Sequence, residues 1–375
     1  MTALSHAITP RVSRGARHRK QRNSMIQLSS AHWGTDQGKD VFLYTLAGGG
    51  VEASVSNYGG LLQSFLVNDA KGKPLDIVLG YDTLEAYKKG PYFFGAMIGP
   101  VADRLAEGRC TLDGKTVQLS KNAGPDSMHS GPCGFHAQVW DTEILEDRVV
   151  FYRTFLDGAL GFPGEMRVRL GYSIPKPFTL RLTYHATCGR EAALSFTNHS
   201  YFNLDGARRD CLDHALLIHS DVYAETAREV DPLVTGRLLD VSGTPFDLRA
   251  LTRLGDPLRQ TEDREIASAG GIDHYFKVRG KGFREAAMLQ SAESGLRLSC
   301  RSDADGILVY TGNGLLNAAG KAGKRYDRHW GVCLETGQLP NAVNFPQHRA
   351  SVLFEPGKEY QSVTEFAIDY PGASD

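Results

Sequence analysis

The sequence lacks a long apolar run, a metal-binding cysteine pair and an excess of either charge. The longest apolar candidate, residues 93–102, is broken by Gly95, Gly99 and Pro100, so no membrane span is predicted. The 42 basic and 43 acidic residues give a net charge of −1, which argues against a polycation built to bind nucleic acid. The chain has no P-loop and no GxGxxG segment between a strand and a helix, so no nucleotide cofactor is expected.

The spacing of the six cysteines predicts neither a disulfide pattern nor a metal-binding pair. None belongs to a CxxC motif and none lies at zinc-finger distance from a histidine, so no metal site is predicted. A chain of this length also has no need of a disulfide framework. We therefore expect mostly buried free thiols in a reducing compartment, the cytoplasm, at Cys110, Cys133, Cys188, Cys211, Cys300 and Cys333.

Charge is distributed unevenly along the chain. Residues 1–35 contain no acidic residue, and their six basic residues end just before Met25. We expect residues 1–24 to be a disordered leader, or sequence ahead of a true start at Met25. A second interpretation is an organelle transit peptide, because such segments are rich in arginine and poor in acidic residues. A nucleic-acid-binding arm is the third, and nothing later in the chain supports it.

Hydrophobic residues recur with a period of two from about residue 40 onward, which is typical of strands with one buried face. The alternation is clearest in residues 166–174 and resumes in residues 178–186, which predicts a hairpin of two long strands. Asp113-Gly114 indicates another tight turn, and residues 84–88 are a candidate helix. Shorter strands are predicted at residues 51–55, 62–67, 149–155, 296–300, 307–310 and 351–354.

No linker rich in proline or serine divides residues 40–370. The 41 glycines, about 11% of the chain and above the usual share of about 7%, favour many short strands joined by turns. Residues 25–375 are therefore predicted to form one all-β domain, a large antiparallel β-sandwich.

Five polar residues lie in segments whose neighbours are typical of a core or a tight loop. A buried polar group needs a partner, so each of the five is a candidate for chemistry. Each also has an ordinary interpretation, such as a histidine bonded to backbone, a capping aspartate, a loop histidine, a surface ion pair or a structural carboxylate. The residues are Arg104, His129, His199, Asp273 and Glu335.

These residues belong to a series of longer segments, which are Asn57-Tyr58-Gly59-Gly60, residues 76–84, residues 99–105, the loop at His129, Gly134-Phe135, Val139-Trp140-Asp141, residues 197–204, residues 271–274, residues 310–313 and Leu334-Glu335-Thr336. Together and in this order they resemble the aldose 1-epimerase (galactose mutarotase) family. The resemblance runs from about Met25 to the last twenty residues, and the segments around His199 and Glu335 are its most specific parts.

The resemblance implies a large β-sandwich that interconverts the α and β anomers of a free aldose. In this family a glutamate removes the proton of the anomeric hydroxyl and a histidine protonates the ring oxygen, so that the ring opens and can close on the other face. A carboxylate and an imidazole suit this task because they can exchange roles near neutral pH. The implied residues are Glu335 as base, His199 as acid, and Arg104, His129, Asp273, Asp103 and Tyr201 for binding the sugar. No metal and no other cofactor is implied.

The chain departs from the usual family pattern mainly around the expected pocket. Asp103 stands where an asparagine is usual, and Leu308 stands where many members have a glutamine. Further departures are Pro100, Ser130, Tyr275 and Gly337. Because the proton-transfer pair is kept, these changes concern hydroxyl recognition more than the reaction. The aldose is therefore open at this stage: a hexose such as galactose, a pentose, or a deoxy or modified sugar.

Two other functions remain open from the sequence. One is a carbohydrate-binding protein without turnover on the same scaffold. The other is a related isomerase or lyase that acts on another cyclic hemiacetal. The expected partner is a small sugar, with no nucleic acid and no membrane, and the expected assembly is a monomer or a homodimer.

Overall fold

The computed structural model describes residues 26–227 and 232–371, and the leader predicted at residues 1–24 lies outside the described residues. The all-β class predicted from the sequence is confirmed. Over the described part, helices are limited to α1 (Leu84–Lys89), α2 (Gly255–Leu258), α3 (Arg264–Ala269) and 3-10 turns at Ala106–Gly108, Phe135–Ala137, Ala159–Gly161, Lys321–Gly323, Ala342–Asn344 and Arg349–Ser351. None of these helices is long and apolar enough to cross a membrane.

The strands of the two described stretches are, in chain order, β1 (Gln27–Asp36), β2 (Lys39–Gly48), β3 (Val51–Ser56), β4 (Leu61–Asn68), β5 (Pro74–Asp76), β6 (Met97–Ile98), β7 (Arg104–Leu105), β8 (Arg109–Leu112), β9 (Lys115–Gln118), β10 (Ser127–Met128), β11 (Asp141–Ile144), β12 (Arg148–Phe155), β13 (Met166–Lys176), β14 (Thr179–Cys188), β15 (Ala192–Ala193), β16 (Thr197–Asn198), β17 (Tyr201–Phe202), β18 (Ala215–Ile218), β19 (Ser220–Thr226), β20 (Val234–Asp240), β21 (Thr252–Arg253), β22 (Asp273–Val278), β23 (Arg284–Gln290), β24 (Arg297–Ser302), β25 (Gly306–Tyr310), β26 (Ala318–Ala319), β27 (Arg325–Tyr326), β28 (Val332–Gly337), β29 (Leu353–Phe354) and β30 (Glu359–Asp369).

Three antiparallel sheets contain most of these strands. The first sheet follows chain order from β1 to β5. The second has nine strands in the order β11-β12-β13-β14-β30-β24-β23-β18-β21. The third has six strands in the order β17-β28-β25-β22-β19-β20. Short two-stranded pairs, among them β16 with β6 and β10 with β7, connect the loops that lie above the third sheet.

The predicted long hairpin is confirmed as β13 and β14, in which Tyr172 pairs with Leu182. The apolar residues of β13 are buried, as the alternation predicts. Phe178 differs from the prediction, because it lies in the turn with a φ of 57° and is partly exposed. The turn at Asp113-Gly114 joins β8 to β9 with φ values of 49° and 70°, which suit a two-residue hairpin.

Most of the shorter predictions are also confirmed, namely the strands β3, β4, β12, β24 and β25 and the helix α1. Residues 351–354 differ, because the chain first makes a 3-10 turn at Arg349–Ser351 and the strand covers Leu353–Phe354 alone. Five of the six cysteines are buried free thiols. The expectation of burial is wrong for Cys133, which is exposed in the loop before the turn at Phe135–Ala137.

The six-stranded sheet packs face to face on the nine-stranded sheet, which confirms the predicted sandwich. Oγ1 of Thr336 in β28 lies 2.6 Å from Oγ1 of Thr364 in β30. The rings of Phe202 and Phe366 meet across the same interface with their centroids 4.7 Å apart. Since side chains alternate along a strand, every second residue of β28 points away from this core. The outer face of the six-stranded sheet is therefore the place where a site can be built.

Two glycines lie side by side on that outer face, because Gly306 of β25 pairs with Gly337 of β28. A Cβ on Gly306 would lie 2.2 Å from Oη of Tyr275, whereas the nearest atom to a Cβ on Gly337 would be Oγ of Ser195 at 3.6 Å. We therefore expect Gly306→Ala to lower the free energy of unfolding by about 1–3 kcal/mol, the usual cost of overpacking. The measurement is urea denaturation followed by circular dichroism.

Gly337→Ala is the matched control, and we expect it to stay within about 0.5 kcal/mol of the wild type. An equal loss of unfolding free energy in the two variants would mean that any side chain is disfavoured at this pair of glycines. It would contradict the specific clash with the side chain of Tyr275.

Candidate active site

All seven residues selected from the sequence line one cleft above the six-stranded sheet. The cleft has a volume of about 170 Å³ and is open to solvent at its mouth. The seven are Asp103, Arg104, His129, His199, Tyr201, Asp273 and Glu335. The remaining lining residues are Pro91, Tyr92, Phe93, Met128, Leu308 and Tyr310.

Strand register brings together residues that are far apart in the chain. Glu335 of β28 lies opposite Leu308 of β25, and Asp273 of β22 lies opposite Tyr310 of β25. Directly opposed residues of antiparallel strands point to the same face. The strand β28 runs through Glu335 to Gly337, so the carboxylate stands within the sheet.

Short backbone pairings hold His199 above this face. Its N–H donates to the carbonyl of Ala96 at 2.9 Å, and its carbonyl accepts from the N–H of Gly95 at 2.9 Å. Its ring stacks on Tyr201 with the centroids 5.0 Å apart and on Phe93 with the centroids 5.9 Å apart. The imidazole plane is therefore fixed between two aromatic rings.

A carboxylate and an imidazole form the centre of the cleft. Nε2 of His199 lies 3.7 Å from Oε1 of Glu335, and the side chains are only 7% and 5% exposed. Burial raises the pKa of Glu335 well above its usual range, with a further rise from the nearby Asp103 and Asp273. Burial lowers the pKa of His199 to about 4. Desolvation thus favours the neutral form of both groups in the empty cleft.

An arginine lies between two aspartates at one side of the cleft. Nη1 of Arg104 donates to Oδ1 of Asp103 at 3.2 Å and lies 3.7 Å from Oδ2 of Asp273. Burial raises the pKa of Asp103 to about 6. The negative charge of Asp273 raises this pKa further, and the positive charge of Arg104 partly offsets the rise. The exposed surface pair that the sequence also allowed is excluded here, since both side chains of the Asp103–Arg104 pair are largely buried.

His129 contacts the same loop. The backbone N–H of Asp103 donates to Nδ1 of His129 at 3.1 Å. Burial lowers the pKa of His129 well below its ordinary value, and the neighbouring His199, His136 and Arg104 lower it further. A neutral ring whose Nδ1 accepts must carry its proton on Nε2, so His129 has one N–H donor to offer.

Several cleft residues have left-handed backbone conformations that side chains other than glycine rarely adopt. They are Phe93, Asp103 and His129 of the lining and the adjacent Ser130, with φ between 53° and 65°. Such conformations cost free energy and are concentrated at functional sites. Aspartate tolerates this region better than most residues, which suits position 103.

Two of the six departures from the family pattern lie in the cleft wall, Asp103 and Leu308. The others do not line it. Oγ of Ser130, for example, is tied to the N–H and carbonyl of Val101 at 2.8 and 3.0 Å. Tyr275 lines a separate cavity further along the sheet, while Pro100 and Gly337 line neither of these two spaces.

Sequence reasoning did not select the apolar lining. Phe93, Tyr92 and Met128 give no chemical signal of their own, and aromatic residues in a run such as Tyr92-Phe93-Phe94 are typical of a core. Phe94 is indeed fully buried, whereas Phe93 faces the cleft. The left-handed backbone conformation of Phe93 distinguishes it from the buried Phe94, and no sequence pattern predicts that conformation.

One group of buried side chains among the described residues has the spacing of metal ligands. It consists of His199, Cys333 and Glu335, whose ligand atoms lie within 4.8 Å of one another. Metals bind the deprotonated thiolate and carboxylate. Burial raises the pKa of both Cys333 and Glu335, so a metal at this place would have to displace protons that desolvation favours. The other interpretation of this place is a proton-transfer centre, as the sequence predicts for Glu335 and His199.

Solved structures identify the class of protein to which this fold belongs. An aldose epimerase homologue from C. elegans superposes with a TM-score of 0.79 at 25% identity, over 86% of this chain and 96% of the other. A galactose 1-epimerase from Lactobacillus acidophilus superposes with a TM-score of 0.80 at 24% identity, over 92% of this chain and 99% of the other. The chain therefore has the galactose mutarotase-like fold.

Sequence comparisons give the family. A sequence model of the aldose 1-epimerase family matches residues 43–367. Galactose mutarotase from Bos taurus is 37% identical over 84% of this chain and 90% of its own length. Aldose 1-epimerase from Escherichia coli K12 is 32% identical over 84% of this chain and 92% of its own length. The chain belongs to the aldose 1-epimerase family and is an isomerase, as the sequence motifs predicted.

The proton-transfer interpretation of the buried trio predicts independence from metals. Opening and closing a sugar ring moves protons without any change of oxidation state, and a carboxylate with an imidazole suffices for that. We expect the rate of mutarotation, followed by polarimetry, to be unchanged after exhaustive dialysis against EDTA and not to rise with added Zn²⁺ or Mg²⁺. A rate that EDTA abolishes and one specific metal restores would instead make His199, Cys333 and Glu335 its ligands.

Proposed function

We propose that this protein interconverts the α and β anomers of a free aldose, with Glu335 as general base and His199 as general acid. The observation that carries the proposal is the 3.7 Å approach of Nε2 of His199 to Oε1 of Glu335 inside the cleft. A binding protein without turnover would have no need of two proton carriers at this distance, so the catalytic function is the better supported one.

The reaction needs one proton removed and one delivered. The Glu335 carboxylate accepts the proton of the anomeric hydroxyl, while Nε2 of protonated His199 gives a proton to the ring oxygen as the bond between it and the anomeric carbon breaks. Rotation of the aldehyde and the reverse transfers then close the ring on the other face. Each proton transfer can contribute about 10²–10⁴-fold to the rate.

The electrostatics of the cleft support this assignment of roles. After ring opening Glu335 is protonated and His199 is neutral. These are the forms that burial favours, since it raises the pKa of Glu335 and lowers that of His199. A carboxylate with a raised pKa is a stronger base, and an imidazolium with a lowered pKa is a stronger acid. The cleft thus stabilises the protonation state of the open-chain intermediate.

The other polar lining residues are proposed to bind hydroxyl groups. Arg104 and the Nε2–H of His129 supply donors, and Asp273 supplies an acceptor. Tyr201 and Phe93 offer aromatic faces for the apolar edge of a sugar ring. The aldose is proposed to be galactose or a related hexose, in keeping with the names of the mammalian relatives.

The remaining proposals concern the setting of the enzyme. We propose a single domain over residues 25–375, supported by one hydrophobic core that includes residues as distant as Tyr44 and Ile368. We also propose a monomer or homodimer in the cytoplasm that acts without a nucleic-acid or membrane partner, supported by the balanced charge.

Removal of either proton carrier tests the proposal. Glu335→Gln and His199→Asn should each lower kcat by at least about 10²-fold, because each removes a proton carrier while leaving a polar side chain. Polarimetry of freshly dissolved α-galactose gives the rate. Glu146→Gln and His185→Asn, at exposed positions, are the matched controls and should retain wild-type turnover. Near-normal turnover in a folded variant of either cleft residue would refute the assignment.

Substitution at Asp103 tests sugar recognition. The Asp103 carboxylate competes with a sugar for the donors of Arg104. Asp103→Asn keeps a residue that tolerates the left-handed backbone but removes the competing charge. We expect KM for galactose to fall by more than kcat changes, measured by polarimetry over a range of sugar concentrations.

The control for this change is Asp141→Asn, an exposed position in β11, which should leave KM as it is. An unchanged or higher KM for every hexose tested would show that Asp103 serves a ligand other than a common hexose, or takes no part in binding.

A further inference from the structure

The cleft holds more acidic than basic side chains. Three of the described residues that line it carry carboxyl groups, whereas Arg104 carries the single guanidinium. The three are Asp103, Asp273 and Glu335. Burial lowers the pKa of both lining histidines below the ordinary value, so neither adds a positive charge at neutral pH. Even when Glu335 is protonated, as burial favours, two aspartates face one arginine.

Asp103 keeps one carboxylate oxygen for a ligand. The backbone N–H and Nη1 of Arg104 both donate to Oδ1 of Asp103, at 2.6 and 3.2 Å. Its Oδ2 accepts no hydrogen bond from the part of the chain that the structure describes, and the side chain is 16% exposed in the cleft wall. Burial raises the pKa of Asp103 to about 6, which leaves the group mostly ionised at neutral pH. A charged acceptor is therefore open to the cleft.

Glu335 marks the point at which a ligand enters the cleft deepest. Its side chain is 5% exposed, and Nε2 of His199 lies 3.7 Å from Oε1, beyond hydrogen-bonding distance. Glu335 accepts no hydrogen bond from any other described residue. A buried carboxyl group without a hydrogen bond is costly, so a donor on the ligand is expected to meet it. In the proposed mechanism that donor is the anomeric hydroxyl.

We propose that the cleft accepts 2-amino-2-deoxyhexoses, sugars in which an ammonium group replaces the hydroxyl at C2, and that Oδ2 of Asp103 receives this ammonium group. The proposal rests on the proposed function, because it takes the anomeric hydroxyl to lie at Glu335 and the ring oxygen at His199. The substituent at C2 then lies on the other side of the anomeric carbon from His199. The charges of Asp103 and Asp273 both act on Glu335, so these aspartates are the acidic groups near that side.

The charge of the ammonium group matches what the cleft lacks. Arg104 repels a second cation, but Nη1 of Arg104 lies 3.2 Å from Asp103 and 3.7 Å from Asp273. With both aspartates ionised, the three groups sum to one negative charge, which an ammonium group neutralises. A hydrogen bond between two charged groups is stronger than one from a neutral hydroxyl. The ammonium group can donate to Oδ2 of Asp103 while Arg104 stays on Oδ1.

Titration calorimetry of the full chain at neutral pH tests the proposal. Each sugar is added at its anomeric equilibrium, so that no net reaction contributes heat. We expect Kd for galactosamine to be about 5- to 10-fold lower than Kd for galactose, the usual gain when a hydrogen bond becomes charged. 2-Deoxygalactose, which lacks the substituent, should bind no better than galactose. A Kd for galactosamine equal to or above that for galactose would overturn the proposal.

Asp103→Asn assigns the preference to its residue. We expect the variant to lose most of the preference for galactosamine, through a higher Kd for the amino sugar and a lower Kd for galactose. Asp141→Asn, at an exposed position in β11, is the control and should keep the wild-type ratio of the two Kd values. An Asp103→Asn variant with the wild-type melting temperature and the wild-type ratio would also overturn the proposal.

Binding and turnover separate the possible failures. If neither galactose nor galactosamine were mutarotated in polarimetry, the proposed function would fail, yet the two Kd values would still decide which sugar the cleft prefers. If both sugars were mutarotated but galactosamine bound no more tightly, the proposed function would stand and the amino-sugar inference would fail.

Discussion

The alternation of side chains along β28 is the constraint on which the rest of the structure depends. Val332, Leu334 and Thr336 face the nine-stranded sheet and help to close the core, while Cys333 and Glu335 lie on the opposite face, where Glu335 lines the cleft. A shift of one residue in the register would put the carboxylate in the core and a leucine in the cleft. Folding of the sandwich and placement of the Glu335 side chain are thus one event, because the apolar residues that drive the packing also determine which way Glu335 points.

Desolvation then determines what the placed groups can do. Burial raises the pKa of Asp103 and of Glu335, the nearby Asp273 raises both further, and Asp103 adds to the rise at Glu335. Arg104 is the cation between the two aspartates. The arginine offsets part of the repulsion at its own side of the cleft, whereas Glu335 receives no such compensation. In the proposed mechanism the two aspartates accept hydrogen bonds from the sugar, and Glu335, whose pKa burial raises, is the base. Similar side chains thus have different tasks because their surroundings differ.

Part of this arrangement could be predicted from the sequence and part could not. Period-two alternation predicted β13 and β14 because each has one buried face, and the family motifs brought Glu335 and His199 to attention together. The meeting of Asp273, Leu308 and Glu335 could not be predicted from alternation, because pairing between distant strands leaves no local signal. The apolar lining was missed for another reason: Phe93 differs from its buried neighbour Phe94 only through a backbone conformation that a phenylalanine rarely adopts.

The division between sheet and loops has a consequence for how the reaction and the choice of sugar can vary. Glu335 and Cys333 are fixed by strand register, so their positions cannot shift without disturbing the sheet. Arg104 and His129, in contrast, are held by a short pairing of loop strands. The backbone N–H of His129 donates to the carbonyl of Asp103 at 3.0 Å, and the backbone N–H of Asp103 donates to Nδ1 of the His129 ring. Because these contacts use the backbone of position 103, its side chain can change without altering the sheet. The chemistry of the proton carriers can therefore be kept while the contacts to the sugar change, which is the pattern of retention and departure in this chain.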